Sequence, residues 1–377
     1  MKNKPDGLFF NRQFCAEAQN CCDRRGEITC VISPRGLSVS LRHGGKMKRV
    51  VISGATGALG MALIGLCIKN EVEVLVLCRK GSARAERIPD HPLVHVQFCD
   101  LAQMKEWQPC GSEKYEVFYH FAWAGTTGAA RNDMYLQNKN VEYTLDAVWL
   151  AKRLGCHTFV GAGSQAEYGR TTEKLNENTP PRPETGYGIA KLCAGLMSRE
   201  MCRSLGMKHI WTRILSIYGP YDGENSVIMS SIRKLLKGEM PELTAGEQLW
   251  DYIYCEDAAR AFFLLGEKGQ DGAVYCVGSG EARPLREYMY LLRDAVEPAL
   301  PLGLGKLPYG ERQVMYLCAD IARLRKDTGF VPEVPFEEGI RRTVEWGRSS
   351  RDHDTTDNLC ISIEKHTGIC YSAVQRL

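Results

Sequence analysis

The chain has 377 residues, 44% of them hydrophobic and 25% charged, with a formal net charge of +3. That profile fits a soluble globular protein built as one large domain or two unequal ones. Near-balanced charge removes the strong basic field that suits nucleic acid or an anionic membrane, and the longest apolar stretch, Ala58 to Ile68, is too short to span a bilayer.

Residues 1–46 are polar and lack a sustained hydrophobic period. They read as a poorly ordered N-terminal extension, with Met47 as the natural start. Val50, Val51 and Ile52 then form a short apolar run suited to a buried parallel strand. Gly54, Gly57 and Gly60 follow, and a stretch with helical promise begins at Met61. Strand, glycine turn and helix form the context a dinucleotide-binding motif requires. Gly54 allows a tight turn, Gly57 lets the backbone approach a pyrophosphate, and Gly60 lets the helix pack on its strand. Thr56, Ala58 and Leu59 complete the turn. The helix N-terminus then offers free N–H groups and a positive dipole end to the phosphates.

Alternating strands and helices follow. Strands are expected at 73–78, 94–98, 117–121, 157–161 and 210–217, with long helices at 132–154 and 185–205. The alternation predicts an α/β fold with a doubly wound parallel sheet. Beyond Gly219-Pro220 the rhythm changes. A helix is expected at 227–236, one strand at 249–254, a helix at 256–265 and a strand at 273–277. Further helices are expected at 285–296 and 336–346. The sheet domain thus takes 47–220 plus 251–280, and a smaller substrate-binding lobe takes 221–250 plus 281–347. That lobe would lie over the C-terminal edge of the strands, where open α/β sheets bind ligands. Residues 348–377 read as a polar C-terminal tail.

Sixteen cysteines raise the question of disulfides. Cys67, Cys78, Cys99, Cys156, Cys193 and Cys276 fall inside apolar strand or helix patterns, where free thiols act as small hydrophobes. With no Cys-x-x-Cys and no His-Glu-x-x-His, no metal site is expected. A reducing cytoplasm fits this usage.

Two motifs point to chemistry. Tyr187 and Lys191, four apart at the start of a helix, share one face. A phenol titrates near 10, and a neighbouring cation lowers that value, so the pair can move a hydroxyl proton. Ser164 stands just past the fifth strand, on the same sheet edge as the glycine turn, and can hold the substrate oxygen that Tyr187 protonates. Cofactor choice is read at the end of the second strand, where an NAD enzyme places an acid for the ribose hydroxyls. This chain has Cys78, then Arg79 and Lys80, with Arg84 nearby. Cations there suit the 2′-phosphate of NADP(H), with NAD(H) as the alternative.

In these ordered motifs, together with Asp100-Leu101, His120-Phe121-Ala122, Asn140-Val141, Arg213 and Tyr218-Gly219-Pro220, the chain resembles the extended short-chain dehydrogenases/reductases. Within them it is similar to the NAD-dependent epimerase/dehydratase group acting on nucleotide sugars. The likeness runs from Met47 to about Trp346. It implies a Rossmann-type sheet and a Ser164/Tyr187/Lys191 triad, with Lys191 also on the nicotinamide ribose. It implies Asp100 and Leu101 near the adenine, Ala122 and Asn140 along the cofactor, and a nucleotide-sugar pocket in the C-terminal lobe. It also implies a homodimer through the helices at 132–154 and 185–205.

Departures from the family pattern narrow the activity. Sugar 4,6-dehydratases carry an Asp-Glu pair in the first two positions after the serine; here these are Gln165 and Ala166, which cannot act as acid or base. Members that epimerise and reduce a GDP-sugar place a Cys at the position of Ala166. Ser216 replaces a common Asn, and Trp250 stands where an Arg often precedes the Asp. Diphosphate contacts are therefore expected to be built differently, with Arg312 as a candidate. The expectation is an NADPH-dependent reductase of a nucleotide-linked 4-keto-6-deoxyhexose, serving polysaccharide precursor synthesis. Hydride would go to C4 and the proton would come from Tyr187. A 4-epimerase that retains its cofactor is the alternative, and a catalytically silent NAD(P)-binding regulator is a third reading.

Overall fold

The computed structural model describes residues 29–33, 36–40, 47–109 and 111–349. Contacts divide the chain into Met1–Lys46 and Met47–Leu377. In the first unit, β1 (Thr29–Ser33) and β2 (Gly36–Ser40) pair as an antiparallel hairpin. The rest of the expected extension, and the expected tail beyond residue 349, lie outside the described residues.

The second unit is organised on a seven-stranded sheet. Its strands are β3 (Arg49–Ser53), β4 (Glu73–Cys78), β5 (Val94–Phe98), β6 (Val117–His120), β7 (Thr158–Ser164), β8 (Lys208–Ile214) and, later in the chain, β12 (Ala273–Val277). They run in the order β12-β8-β7-β6-β3-β4-β5, and every pairing is parallel. The sheet buries both faces, so its inner strands read as unbroken apolar runs. Val50 and Ile52 face one layer with Leu63, Ile64 and Cys67 of α1 (Ala58–Lys69). Val51 faces the other, with Ala147, Val148 and Ala151 of α2 (Met134–Arg153). A second long helix, α3 (Gly186–Ser204), packs beside α2.

From β3 the chain moves outward to β4 and β5, then returns to β6 on the other side of β3. The crevice between the ends of β3 and β6 is therefore a topological switch point, the place where doubly wound sheets bind ligands. Two contacts close it from below. Ser53 Oγ lies 2.8 Å from His120 Nδ1, and Phe121 N–H donates to Ser53 O at 3.0 Å.

Two expected strands are each divided in the structure. The run 210–217 breaks at Leu215, whose N–H makes the last bond to β12 at Val277 O, and beyond it β9 (Ser216–Tyr218) leaves the main sheet. β9 pairs instead with β11 (Tyr252–Tyr254). The run 249–254 breaks at Asp251, between β10 (Leu249–Trp250) and β11. The cause is the buried Asp251 carboxylate. It accepts the N–H groups of Ser279, Gly280 and Ala319 and the Ser279 hydroxyl, pulling this position out of strand pairing.

A further apolar cluster lies beside these short strands. It joins Ile228, Met229 and Ile232 of α4 (Val227–Leu236) to Leu285, Met289 and Leu292 of α6 (Leu285–Val296), and to Ile340 and Val344 of the helix at 336–349. Between α4 and α6 in sequence, α5 (Cys255–Lys268) returns to the sheet and packs on α1. Cys67, Cys156, Cys202 and Cys276 are free and buried. No described helix is long and apolar enough to cross a membrane.

Candidate active site

The glycine turn behaves as three different spaces. Gly54 has φ +73°, and a Cβ there would meet Ala122 N at 2.4 Å, across the switch point. Gly60 lies so close to Ala55 that a Cβ would stand 2.4 Å from its carbonyl oxygen. Gly57 has nothing within 4 Å of a Cβ. Gly57 also caps α1, and no side chain occupies that helix end. An open glycine before an uncapped N-terminus is a cradle for a phosphate, so the residues present fit a dinucleotide. Ala58 and Leu59 are buried in the first helical turn, and Thr56 is half-buried beside them.

At the end of β4, Cys78 is buried while Arg79, Lys80 and Arg84 are exposed. Their side chains form no ion pair among the described residues. Asp100 caps a short turn by accepting Ala102 N–H at 3.2 Å, and Leu101 packs beneath it. Asn140 does not point to open space. It accepts Ala124 N–H at 2.8 Å and donates to Ala124 O at 3.0 Å, fixing the loop that starts at Ala122.

That loop supplies residues the motif reading missed. Gln137, one turn before Asn140, donates to Gly125 O and Ala130 O and accepts the Trp123 indole N–H at 2.9 Å. Two polar residues at i and i+3 on the buried face of a helix were the available signal. Held this way, Trp123 lies with Lys191 Nζ 3.8 Å from its ring centre, and the Arg131 guanidinium sits 4.3 Å from the Tyr187 ring centre.

Ser164, Tyr187 and Lys191 come together as the sequence suggested, and all are buried. Ser164 closes β7. Tyr187 and Lys191 lie in the first turns of α3, which Thr185 caps by accepting Gly188 N–H at 3.1 Å. The Ser164 side chain, which accepts Ala166 N–H at 3.2 Å, lies beside the Tyr187 phenol. Burial pushes that phenol above its ordinary value, opposed by Ser164 and by the Arg131 charge. The cation nearest the ring is thus Arg131, while Lys191 Nζ is 5.8 Å from the ring centre. Lys191 donates to Ala162 O at 2.5 Å, and burial lowers its ammonium to about 7. At neutral pH Tyr187 is a proton donor and Lys191 is poised to titrate.

The residues after the serine settle the local acid–base inventory. Gln165 and Ala166 are half-buried and carry no ionisable group. Glu167 is fully buried and turned inward. Its carboxylate accepts Ser164 N–H at 2.8 Å, the Trp211 indole N–H at 3.0 Å and Arg213 Nε–H at 2.8 Å. At the rim, Trp250 Nε1 donates to Ser216 Oγ at 2.8 Å, so the two departures noted in the sequence are partners of each other. Arg312 is exposed and forms no ion pair among the described residues. The backbone carbonyl of its neighbour Glu311 receives a long hydrogen bond from Arg170, which also pairs with Glu184.

A sequence model of the NAD dependent epimerase/dehydratase family matches residues 50–278. A dTDP-glucose 4,6-dehydratase of Neisseria meningitidis is 23% identical, over 80% of this chain and 93% of that protein. A putative UDP-glucose 4-epimerase of Methanocaldococcus jannaschii is 24% identical, over 80% and 99%. Among solved structures, a UDP-N-acetylglucosamine 4-epimerase from Methanobrevibacter ruminantium superposes with a TM-score of 0.73 at 24% identity, over 81% of this chain and 100% of that one. A dTDP-glucose 4,6-dehydratase from Streptomyces venezuelae with NAD bound gives 0.70 at 22%, over 81% and 98%. The structural likenesses carry the Rossmann-type fold.

Proposed function

The chain belongs to the NAD-dependent epimerase/dehydratase family of enzymes, and from that premise we propose an NADPH-dependent reductase of a nucleotide-linked 4-keto-6-deoxyhexose. The observation that carries the reading is the inventory behind Ser164. The site has a proton donor at Tyr187, but Gln165 and Ala166 offer no acid or base for eliminating water. Glu167, the carboxylate of that turn, is committed to Arg213 and Trp211.

When bound, the dinucleotide supplies the hydride. The turn at Gly54, Gly57 and Gly60 would hold its pyrophosphate, and Asp100, Leu101 and Ala122 would border it. Lys191 would reach its ribose. Arg79, with Lys80 and Arg84, would take a 2′-phosphate, since unpaired exposed cations at the end of the second sheet strand suit that group. Ser164 would hold the sugar C4 oxygen, and the Tyr187 phenol would give it a proton as the carbonyl becomes an alcohol. Arg312 is the cation proposed for the diphosphate. A homodimer belongs to the same proposal, supported by exposed Tyr135 and Trp149 on α2 and Ile189, Leu196 and Met197 on α3. A cytoplasmic setting suits the buried free thiols.

The 4-epimerases among the similar proteins favour a second reading, a 4-epimerase that keeps its dinucleotide through the cycle. One preparation separates the two. Purified protein is denatured, any released dinucleotide is identified, and apo protein is titrated with NADPH and NADH. Empty protein that prefers NADPH and reduces a 4-keto-6-deoxy nucleotide sugar meets the expectation. A stoichiometric, non-exchanging dinucleotide overturns the reductase in favour of the epimerase. In either case Tyr187→Phe is expected to cut turnover by about 10³ while cofactor binding persists; full activity in that variant defeats the catalytic assignment.

A further inference from the structure

One fully buried ionisable side chain at this edge of the sheet is not used by the proposed proton transfer. Glu167 is the third residue of the short turn after β7, and its side chain folds back beneath Ser164. Every polar neighbour of the carboxylate is a donor: a backbone N–H, an indole N–H and a guanidinium N–H. Such surroundings select the ionised form. Burial raises Glu167 above the ordinary carboxylate value, and Arg213, Ser164 and Trp211 oppose that rise.

Space for this arrangement is cut out of three backbones. A Cβ on Gly163 would stand 2.3 Å from Glu167 Oε1 and from Trp211 Nε1, and one on Gly161 would stand 2.3 Å from the Trp211 ring. Across the indole, a Cβ on Gly195 of α3 would lie 2.6 Å from the same ring. Arg213 is locked in turn, with its guanidinium 4.4 Å from the Tyr168 ring centre. Tyr168 donates to Asn176 O at 2.6 Å. Buried ion pairs are weak contributors to stability, because desolvation offsets their attraction. A device of this cost under a reacting serine calls for another role.

We propose that Glu167 is a positioning residue for the reaction: through the Ser164 main chain it fixes the end of β7, which carries both the Ser164 hydroxyl and the Ala162 carbonyl that holds Lys191 Nζ, and its charge favours the Lys191 ammonium. The inference rests on the reading of Ser164, Tyr187 and Lys191 as the catalytic set. The groups that face Lys191 limit what else could fill this role. His120, below it, is held neutral by burial, which lowers it to about 3. Trp123 and Tyr187 present aromatic rings, and Arg131, 4.3 Å from the Tyr187 ring centre, is itself cationic. Arg213 sits behind Glu167 and is itself cationic. Glu167 is the negative group that acts on Lys191, raising its proton affinity against burial.

Three variants test the proposal. Glu167→Gln keeps an acceptor for Ser164 N–H and removes the charge. Glu167→Ala removes both. Glu167→Gln with Arg213→Met removes both charges, and serves as the folded control if the single change leaves Arg213 unpaired and unstable. Lys191 is followed in protein labelled with ¹³C at lysine Cε, its resonance assigned by Lys191→Arg. In Glu167→Gln the Lys191 midpoint is expected at lower pH than in the parent, with a smaller fall in the double variant. The alkaline limb of the kcat–pH profile moves the same way. We expect kcat to drop about tenfold in Glu167→Gln and about 10²-fold in Glu167→Ala, with KM within about twofold. A folded variant with an unmoved Lys191 midpoint and an unmoved kcat–pH profile overturns the inference. Failure of the catalytic reading looks different: Tyr187→Phe stays active, while the Lys191 resonance still reports the effect of Glu167.

Discussion

Two turns at the same edge of the sheet use glycine for opposite ends. After β3, Gly57 leaves a space that no atom of the protein enters. At the end of β7, leading into its turn, Gly161 and Gly163 leave spaces that Trp211 and Glu167 fill. The first turn leaves room beside the N-terminus of α1, which is the space proposed for the dinucleotide. The second is shaped around the protein's own buried ion pair, and its rigidity is the functional feature. Preorganisation of a reacting group comes from the filled kind of turn, and affinity for phosphate from the open kind.

The largest expected effect breaks the filled turn. Gly163→Ala sets a methyl group against Glu167 Oε1, Thr212 O and the Trp211 indole, none of which has room to move. We expect a loss of about 3 kcal/mol or more in unfolding free energy, read by denaturant titration, with turnover falling further than stability. A variant as stable as the parent would mean that the packing beneath Ser164 is looser than these contacts require.

The open turn predicts the reverse pattern. Gly57 has φ −96°, an ordinary value for any residue, and its surroundings are empty. Gly57→Ala should therefore leave the unfolding free energy within about 1 kcal/mol of the parent. Dinucleotide affinity should fall at least about tenfold, because the methyl group stands where a pyrophosphate approaches. Isothermal titration against NADPH and NADH gives the affinity; unchanged binding would place the phosphates elsewhere.

The same contrast explains what the sequence disclosed. The open turn was legible because a missing side chain leaves a mark in the sequence, glycines at set spacing between an apolar strand and a helix. The sheet itself was legible from alternation, and most of its strands begin and end within a residue or two of expectation. Ser164, Tyr187 and Lys191 could be named, yet the cation over Tyr187 could not. Arg131 reaches that ring through a loop whose path depends on Gln137 and Asn140. The Glu167–Arg213 pair was also hidden, since it joins residues 46 apart, one in the turn after β7 and one on the neighbouring strand β8. The breaks at Leu215 and Asp251 were set by tertiary partners, Val277 and the 279–280 and 319 backbone, which no local pattern carries.

The smallest expected effect separates the two turns by acid. Each is backed by a buried histidine on the next strand. His120 lies under the open turn and His209 lies behind the filled one, stacked 6.0 Å from Trp211. Burial lowers both to about 3. Their unfolded value is the higher one, near 6.5, so between pH 6.5 and about 3 the unfolded chain holds more protons. Their contribution is intact above 6.5 and is lost as pH falls through that window, at about 1.4 kcal/mol per pH unit for each histidine. His120 shares its Nδ1 with Ser53, whereas His209 Nδ1 has no partner and only Nε2 meets Ser198. Replacing His209 by leucine therefore sacrifices little at pH 7 and removes one of the two titrating groups. Urea unfolding of His209→Leu at pH 7 and pH 5 should show a loss on acidification about 2 kcal/mol smaller than in the parent. An equal loss in both proteins would mean that His209 is already accessible to protons in the folded state, and that the packing behind the filled turn opens to water.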